Sequence, residues 1–389
     1  MKIVALTSRF PYPLEKGDKL RIYNQLKQLS KKHEITLIAT NFSDVTEEQL
    51  NELKKYCKAI YIYKIGLFQQ VVNLFRSLFN GLPFQVGLFY LPSAKKQIRK
   101  LISEIKPDAI YCHLIRMSEY VKDITGPVKT IDYMDTFSIG MKRRADRSGF
   151  IMKQAATLEY KRLLKYEYEV FNCFNNKIII SEQDKNFIPH PDKNKIKVIE
   201  NGVDAEVFYP IATDKKYDLL FTGNMGYPPN IEAAVYAATQ ILPEVHKMNP
   251  TVSLLIAGIN PSPAVVKLQS EKIHVISDFK HIRDAFAMSR INLAPMLISI
   301  GLQNKILQAM AMKIPTICSA LANNAVQAKD GESIIEVNTA KEYALHIQEL
   351  LTYPEKANAL AENAYQFVKQ RFDWEKLNDK LESILFSKN

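Results

Sequence analysis

A glycine followed by a run of helix-forming residues opens the stretch GLQNKILQAMAMKIP, residues 301–315. Gly301 follows a predicted strand, so it would turn the chain into a helix whose first amides have no partner within that helix. These amides belong to Leu302, Gln303 and Asn304. Free amides and the positive end of the helix dipole attract anions, and Lys305 adds a full charge. The stretch therefore predicts a phosphate site, although an ordinary strand-loop-helix connection explains the same residues equally well.

Two other loops could contribute to such a site. The segment LLFTGNMGYPPN, residues 219–230, runs from a predicted strand into a loop with Gly223 and Asn224, where a glycine lets a ligand approach the backbone. It lacks the GxGxxG spacing of dinucleotide-binding loops. Its counterpart in the first half, TSRFPYPLEKGDKLRIYNQL, places Gly17 near a helix start and Arg21 among several basic residues. That loop could face phosphate or could be a solvated turn.

Titratable residues end two predicted strands of the first half. His113 closes DAIYCH, and Asp132 and Asp135 lie in IDYMDTFS at the next strand end. A lone histidine is more often structural than catalytic, and two acids in a loop commonly cap a helix or form ion pairs. The residues alone leave structural and functional interpretations open, and DYMD is not a metal-binding motif in this context.

Short apolar runs alternate with amphipathic helical stretches along the whole chain, which predicts parallel sheets with crossover helices. The predicted strands are KIVALTS, EITLIAT, AIYIYKI, DAIYCH, KTIDYM, KIIIS and IKVIEN, then YDLLFTG, VSLLIAG, IHVIS, INLAP, TICSA and SIIEV. A chain of 389 residues is too long for one core, so we expect two doubly wound α/β domains. We place them at residues 1–205 and 206–372, with a last helix, 373–389, packing back on the first. Such sheets bind ligands beyond the carboxyl ends of their strands, so the two domains would face a central cleft.

Positive charge is concentrated in the first half of the chain. Residues 1–200 carry 34 basic and 21 acidic residues, a net +13, whereas residues 201–389 carry 18 and 20, a net −2. This asymmetry suggests a cationic surface facing phosphate, nucleic acid or an anionic membrane, although scattered solvated lysines produce part of it. The sequence contains no helix-turn-helix or aromatic-basic stacking motif, so we expect no nucleic-acid partner.

Cysteine usage and hydropathy favour a cytoplasmic protein. The four cysteines show no CxxC spacing, which argues against a disulfide framework and a zinc site. The chain begins with a predicted strand rather than a secretory signal, and no run reaches the ~20 apolar residues of a membrane span.

A predicted helix at residues 67–79 has one apolar face, and Arg76 is its only charge. The apolar face contains Phe68, Val71, Val72, Phe75, Leu78 and Phe79. Such a helix could lie on an anionic membrane surface, which would make the protein peripheral to the inner face of the cell membrane. The commoner alternative is that the face packs on the sheet.

Five motifs, in this order, resemble those of the retaining GT-B glycosyltransferases of group 1, or family 4, and most closely the bacterial exopolysaccharide sugar transferases. They are PYPLEKGDKLR, ISEQDK before ENGVDAEVFYP, LLFTGNMGYPPN, LLIAGINPSP and GLQNKILQAMAMKIPTICS. The resemblance implies a GT-B fold with a nucleotide-diphosphate sugar bound mainly by the C-terminal domain. It also implies a glycan or lipid-linked acceptor bound mainly by the N-terminal domain, and a reaction that retains anomeric configuration with no obligatory metal or cofactor.

The resemblance also suggests roles in donor binding. The Glu-x7-Glu acid pair of the family would fall on Ile300 and Gln308; a glutamine could still hydrogen-bond the ribose, but isoleucine cannot replace a glutamate that contacts the sugar. The basic residues that often grip the diphosphate are absent around Asn224. Lys305, Arg21 and backbone amides would have to replace them.

By the same resemblance, His113 would contact the transferred sugar, and Asp132 and Asp135 would orient the acceptor hydroxyl. The expected activity is a metal-independent, retaining, hexosyltransferase-type reaction in cell-surface polysaccharide biosynthesis. Two alternatives remain. The altered acid pair fits a catalytically silent GT-B scaffold or binding protein, and the same donor cleft could serve an isomerase similar to the nucleotide-sugar 2-epimerases.

Overall fold

The structure is a computed structural model that describes residues 1–14, 16–298 and 301–387, with the backbone alone at position 147. The chain divides into two compact units. The first domain is Met1–Glu200 together with the C-terminal segment from Trp374, and the second domain is Asn201–Asp373. The observed breaks therefore lie within five residues of the 205 and 372 positions chosen from sequence.

The first domain is built on a seven-stranded parallel sheet in the order β3-β2-β1-β4-β5-β6-β7. Its strands are β1 Lys2–Thr7, β2 Glu34–Asn41, β3 Ala59–Lys64, β4 Ala109–His113, β5 Val128–Asp132, β6 Asn176–Ile179 and β7 Lys197–Val198. Its helices are α1 Gly17–Leu29, α2 Glu47–Lys54, α3 Leu67–Asn80, α4 Phe84–Gly87, α5 Pro92–Ile105, α6 Ser118–Val121, α7 Phe137–Arg147, α8 Phe150–Phe171, α9 Glu182–Phe187 and α18 Trp374–Leu385. Short 3₁₀ turns occur at Ile115–Met117 and Lys193–Lys195.

The second domain has a six-stranded parallel sheet in the order β10-β9-β8-β11-β12-β13. Its strands are β8 Tyr217–Thr222, β9 Leu254–Ala257, β10 Ile273–Ile276, β11 Ser289–Ala294, β12 Thr316–Cys318 and β13 Ile335–Glu336. Its helices are α10 Pro228–Tyr236, α11 Leu242–His246, α12 Pro263–Val266, α13 Ile282–Ala287, α14 Asn304–Ala311, α15 Ala320–Val326, α16 Ala340–Thr352 and α17 Pro354–Arg371. A π-helical turn, Ala237–Ile241, joins α10 to α11.

The predicted doubly wound α/β architecture is confirmed, because each of the thirteen apolar runs forms a strand and the paired strands are parallel. Helices on both faces bury these strands, so the strands read as continuous apolar runs rather than alternating ones. In β1, for example, Ile3 and Leu6 are both buried, although successive side chains point to opposite faces.

Each sheet reverses its winding direction between two adjacent strands, β1 and β4 in the first domain and β8 and β11 in the second. Loops leaving the carboxyl ends of such strands diverge to opposite faces and open a crevice, which is where open α/β sheets bind ligands. The motif PYPLEKGDKLR follows β1, His113 ends β4, LLFTGNMGYPPN leaves β8, and GLQNKILQAMAMKIPTICS follows β11. The topology therefore gives each domain one crevice at which its candidate residues lie.

The last helix, α18, belongs to the first domain. Leu377, Leu381 and Leu385 are buried in the same core as Ile22 and Leu26 of α1. The second domain thus ends at Asp373, and the segment that follows contributes to the core of the first domain. Among the described residues, no helix is both long and apolar enough to cross a membrane.

Candidate functional site

The loop after β8 is a compact turn built around two glycines and two asparagines. Asn224 Oδ1 accepts a hydrogen bond from the Gly226 amide at 3.0 Å, and the Asn224 carbonyl accepts one from Asn230 Nδ2 at 3.0 Å. A Cβ on Gly223 would lie 2.8 Å from Asn230 Nδ2, and a Cβ on Gly258 would overlap the Gly223 carbonyl. Gly223 and Gly258 therefore let the loop after β8 pack closely against Asn230 and against the end of β9, and the ligand approach that the sequence suggested for Gly223 stays a prediction.

Helix α14 begins two residues later than the sequence predicted, at Asn304 with Gln303 as its N-cap. Gly301 has a positive φ of 72°, which glycine adopts without strain, and it directs the chain toward the helix. Within the described part of the chain, no backbone acceptor pairs with the amides from Leu302 to Lys305, whereas the Ile306 amide donates to the Gln303 carbonyl at 2.9 Å. Among the described residues, the amides predicted to be free therefore have no backbone partner, and this set extends to Lys305.

Lys305 points inward, with only 8% of its surface exposed. Its Nζ donates to Asn230 Oδ1 at 2.8 Å, lies 3.7 Å from Met296 Sδ and sits 4.2 Å from the centre of the Phe221 ring. No described carboxylate forms an ion pair with it, and burial lowers the pKa of the lysine to about 7. Through Asn230, Lys305 joins the loop after β8 to the start of α14, across the point where the second sheet reverses.

Other polar atoms around this junction have spare hydrogen-bonding capacity. In the described residues, Thr222 Oγ1 at the end of β8 and Asn304 Oδ1 at the start of α14 are buried without a hydrogen-bond partner. Gln308 is half-buried on α14, and its side chain forms no hydrogen bond to the described residues. Buried polar groups normally find partners, so unsatisfied groups beside free amides and a buried cation are consistent with a polar ligand. Ile300, where the first family acid would fall, lies outside the described residues.

In the first domain, Arg21 and Asp132 form a fully buried ion pair, with Arg21 Nε 2.7 Å from Asp132 Oδ2. Tyr111 also donates to Asp132 Oδ2 at 2.7 Å, and the Met134 amide donates to Oδ1 at 2.9 Å. Burial alone would raise the pKa of Asp132, but the charge of Arg21, the nearby His113 and the hydrogen bonds from Arg21 and Tyr111 together hold this pKa below its usual value. The sequence-based roles are therefore wrong in this structure: Arg21 is not exposed to a phosphate, and Asp132 is not available to an acceptor hydroxyl.

His113 ends β4 directly opposite Asp132, where the sequence placed it. It is 2% exposed, and its Nε2 has no hydrogen-bond partner among the residues described. Burial lowers the pKa of the imidazole to about 4, so the ring is neutral at pH 7. A neutral imidazole with a free nitrogen can donate or accept one hydrogen bond, which is the capacity needed to hold a sugar hydroxyl.

Asp135 differs from Asp132, because it is an exposed residue just beyond the end of β5. Packed protein around the carboxyl and the nearby Asp184 carboxylate raise the pKa of Asp135 to about 7. Gly17, the first residue of α1, lies against this loop, since a Cβ on it would be 3.4 Å from Met134 Cε. The predicted acceptor role of Asp135 remains geometrically open.

Sequence reasoning missed one polar residue in each domain. Arg116, three residues after His113, lies between the rings of Phe89 and Phe137, and Nη2 donates to Gln85 at 2.9 Å. Burial, assisted by the charge of Arg9, lowers the Arg116 pKa to about 10. Asn230 was missed in the second domain. Arg116 could have been found as a basic residue in the otherwise apolar HLIRM, and Asn230 as the polar residue following two prolines.

The described part of the chain contains no group of three or more His, Cys, Asp or Glu side chains placed to hold a metal ion. The arrangement instead offers a buried amine and amides without a described backbone partner in one domain, and a neutral imidazole and the carboxyl of an exposed residue in the other. The first set suits an anion, and the second suits the hydroxyl groups of a neutral molecule.

Comparison with known proteins agrees with the family suggested by the motifs. Residues 216–353 match the family model described as Glycosyl transferases group 1. An uncharacterized 44.6 kDa protein in the cps region of Klebsiella pneumoniae is 26% identical, in an alignment that covers all of both chains. The resemblance to group 1 glycosyltransferases is thereby confirmed.

Solved structures show the same fold at low sequence identity. HepE from Anabaena, in complex with UDP, has a TM-score of 0.71 at 14% identity and covers 98% of this chain and 99% of its own. Sucrose-phosphate synthase from Thermosynechococcus elongatus has a TM-score of 0.70 at 14% identity and covers 98% of each chain. The chain has the GT-B glycosyltransferase fold, as predicted.

Proposed function

We propose that this chain, whose second domain matches the group 1 glycosyltransferases and whose fold is GT-B, is a retaining hexosyltransferase with a nucleotide-diphosphate sugar as donor. The observation that carries the proposal is the junction of Lys305 and Asn230 beside the free amides of α14. A buried cation without a described carboxylate partner, next to unpaired amides, favours a diphosphate over a neutral ligand. A structural neighbour solved with UDP supports the same choice.

The main catalytic task in this reaction is to stabilise the charge that develops on the leaving diphosphate. Donors that are fixed before the reaction stabilise such charge without reorganisation. In our proposal the amides from Leu302 to Lys305 hold the diphosphate, and Lys305 supplies positive charge from beneath them. In this proposal these protein groups stabilise the negative charge on the leaving group, and the reaction requires neither a metal ion nor another cofactor.

The first domain would bind the transferred sugar and the acceptor. Neutral His113 would hydrogen-bond a sugar hydroxyl, and Asp135 would accept a hydrogen bond from the acceptor hydroxyl. Arg116 lies close enough for its charge to favour ionised Asp135. No protein side chain is proposed to form a covalent bond with the sugar. Gln308 would hydrogen-bond the ribose of the nucleotide, because its side chain has no other partner among the described residues.

A glycan or a lipid-linked glycan of the cell surface is the acceptor class we propose. The full-length similarity to a protein from a capsule region supports it. Synthesis would take place in the cytoplasm or at the inner face of the cell membrane, where nucleotide sugars are available.

A panel of nucleotide sugars tests the proposal, first by thermal shift and then by product analysis with oligosaccharide and lipid-linked acceptors. We expect one nucleotide class to stabilise the protein, and NMR of the product to show the anomeric configuration of the donor. In Lys305→Ala the activation free energy should rise by roughly 2–4 kcal/mol while the fold persists. An inverted product, or full activity in Lys305→Ala, would contradict the mechanism. Nucleotide binding with no transfer to any acceptor would favour the silent scaffold.

A further inference from the structure

Helix α3 exposes the side that its sequence would normally bury. Seven of its apolar side chains are between 39% and 87% exposed. These residues are Leu67, Phe68, Val71, Leu74, Phe75, Leu78 and Phe79, and we refer to them as the α3 apolar face. Only Val72, of the residues that the sequence placed on this face, is half-buried. The expectation that the face packs on the sheet is therefore wrong.

The opposite side of α3 is polar and is the side that contacts the protein. Asn73 and Ser77 are its buried residues, and Asn73 Nδ2 donates to the Leu88 carbonyl at 3.1 Å while Gln69 donates to Asn73 Oδ1 at 2.8 Å. Ser77 packs against Gly87, where an added Cβ would overlap the hydroxyl. Since these contacts fix the rotation of the helix, the outward direction of the apolar face is built into the fold.

The α3 apolar face lies in a part of the sequence that has no acidic residue. Residues 53–103 contain no Asp or Glu. Their basic residues are the nine side chains Lys54, Lys55, Lys58, Lys64, Arg76, Lys95, Lys96, Arg99 and Lys100. Several pair with acids from elsewhere, such as Lys95 and Arg99 with Asp123, but surface pairs of this kind are weak and can exchange for other anions. Arg76, on α3 itself, forms no ion pair with the described residues.

We propose that the α3 apolar face docks on an anionic lipid bilayer. The exposed phenylalanines and leucines would enter the boundary between headgroups and acyl chains, while Arg76 and the neighbouring lysines meet lipid phosphates. A second copy of this chain fits less well, because a symmetric pairing would bring Arg76 and the same mainly basic segment of each copy face to face. The inference does not depend on the transferase assignment, because vesicle binding requires neither a donor nor an acceptor.

Flotation of the full chain with vesicles tests the proposal. We expect binding to phosphatidylcholine vesicles that contain phosphatidylglycerol at low salt, and release at high salt, because salt screens the attraction to lipid phosphates. The double variant Phe68→Ser/Phe79→Ser should bind the vesicles at least about tenfold more weakly than the unchanged protein. These side chains are 82% and 87% exposed, so their replacement removes no core packing. The matched control Val266→Ser/Leu345→Ser alters exposed apolar residues of the second domain and should bind like the unchanged protein.

A second readout does not depend on the double variant. In Phe75→Trp, the new fluorescence should shift to the blue on addition of the anionic vesicles, whereas the buried native Trp374 should not respond in the unchanged protein. Failure of the unchanged protein to bind, or equal binding by Phe68→Ser/Phe79→Ser, would overturn the proposal. A lipid-free dimer that this double variant abolishes would also overturn it, because a second copy would then cover the face.

Discussion

Lys305 is unusual because its positive charge is buried without a described carboxylate. In the part of the chain that the structure describes, its amine faces the Asn230 side-chain oxygen, the Met296 sulfur and the Phe221 ring. An isolated buried cation is unfavourable, and the lysine responds by losing its proton more readily, with a pKa of about 7. An anion bound at the start of α14 would reverse this shift, because it favours the charged amine. Proton uptake should therefore accompany donor binding.

This coupling gives a prediction at pH 8, where Lys305 is mostly neutral in the free protein. Binding of a nucleoside diphosphate should take up nearly one proton, so calorimetric heats should differ between buffers of different ionisation enthalpy. The affinity for the nucleotide should decline as pH rises from 7 to 9, because the Lys305 amine must take up a proton on binding and protons become scarcer. In Lys305→Met, which retains the apolar contacts, both effects should disappear. Equal proton uptake by Lys305→Met and the unchanged protein would assign the proton to another group.

Gln308 provides a second prediction for a single residue. Its free side-chain amide can donate and accept hydrogen bonds with ribose hydroxyls. Gln308→Leu should weaken nucleotide binding by about 1–3 kcal/mol, whereas Gln308→Glu should retain or improve affinity. Calorimetric titration of the two variants with the same nucleotide measures the difference. If all three proteins bind with one affinity, Gln308 does not contact the ribose.

At the scale of elements, the Arg21–Asp132 pair fastens α1 to the end of β5. Both charged side chains are fully buried, and either charge without its partner would be strongly destabilising there. Asp132→Ala should therefore destabilise the first domain by about 3–5 kcal/mol, because it leaves a buried, uncompensated guanidinium. Asp135→Ala should not destabilise the domain, because burial and the Asp184 carboxylate already disfavour the ionised Asp135 carboxyl in the same loop. Urea unfolding followed by hydrogen exchange of first-domain peptides measures both variants.

The pH dependence of the same pair has a definite sign. Arg21 holds the Asp132 pKa below its usual value in the folded state, so the contribution of this carboxylate is complete above the unfolded-state pKa and is lost as pH falls through the folded value. The stability difference between Asp132→Ala and the unchanged protein should therefore narrow in acid. A difference that stays constant down to the folded-state pKa would show that Asp132 acts through packing rather than charge.

Strands and crossovers could be predicted from sequence because the signal for a buried parallel strand is local, as KIVALTS and YDLLFTG illustrate. The partner of Arg21 could not, because Asp132 lies 111 residues away and only the fold brings them together. Helix α3 shows another limit. Its periodicity identified one apolar face, but the side that meets the protein depends on Ser77 fitting against Gly87. The inward position of the Lys305 amine similarly depends on Asn230, which belongs to another helix, α10.

On the scale of the molecule, charge and chain path distinguish the two domains. The first half carries a net +13 and the second a net −2, so the attraction to an anionic surface belongs mainly to the first domain. The proposed diphosphate site lies in the nearly neutral second domain, where a local arrangement of amides and one lysine creates the attraction. A membrane contact and a donor site placed on separate domains can be altered independently by mutation.

The return of α18 to the first domain leads to a prediction about how the whole chain unfolds. Leu381 is fully buried in the core shared with α1, although it lies beyond the entire second domain in sequence. Leu381→Ala should destabilise the first domain by about 2–5 kcal/mol, because it creates a cavity in that core. Amides of β1 and β2 should then exchange faster with solvent, while those of β8 and β9 keep their protection. The single tryptophan, Trp374, lies buried at the start of α18 and should become exposed at lower urea concentration in Leu381→Ala.

Leu345→Ala, at a largely exposed position in the second domain, is the control and should leave both regions unchanged. Equal loss of protection in β1 and β8 would mean that the two domains unfold as one cooperative unit, and that the last helix stabilises both.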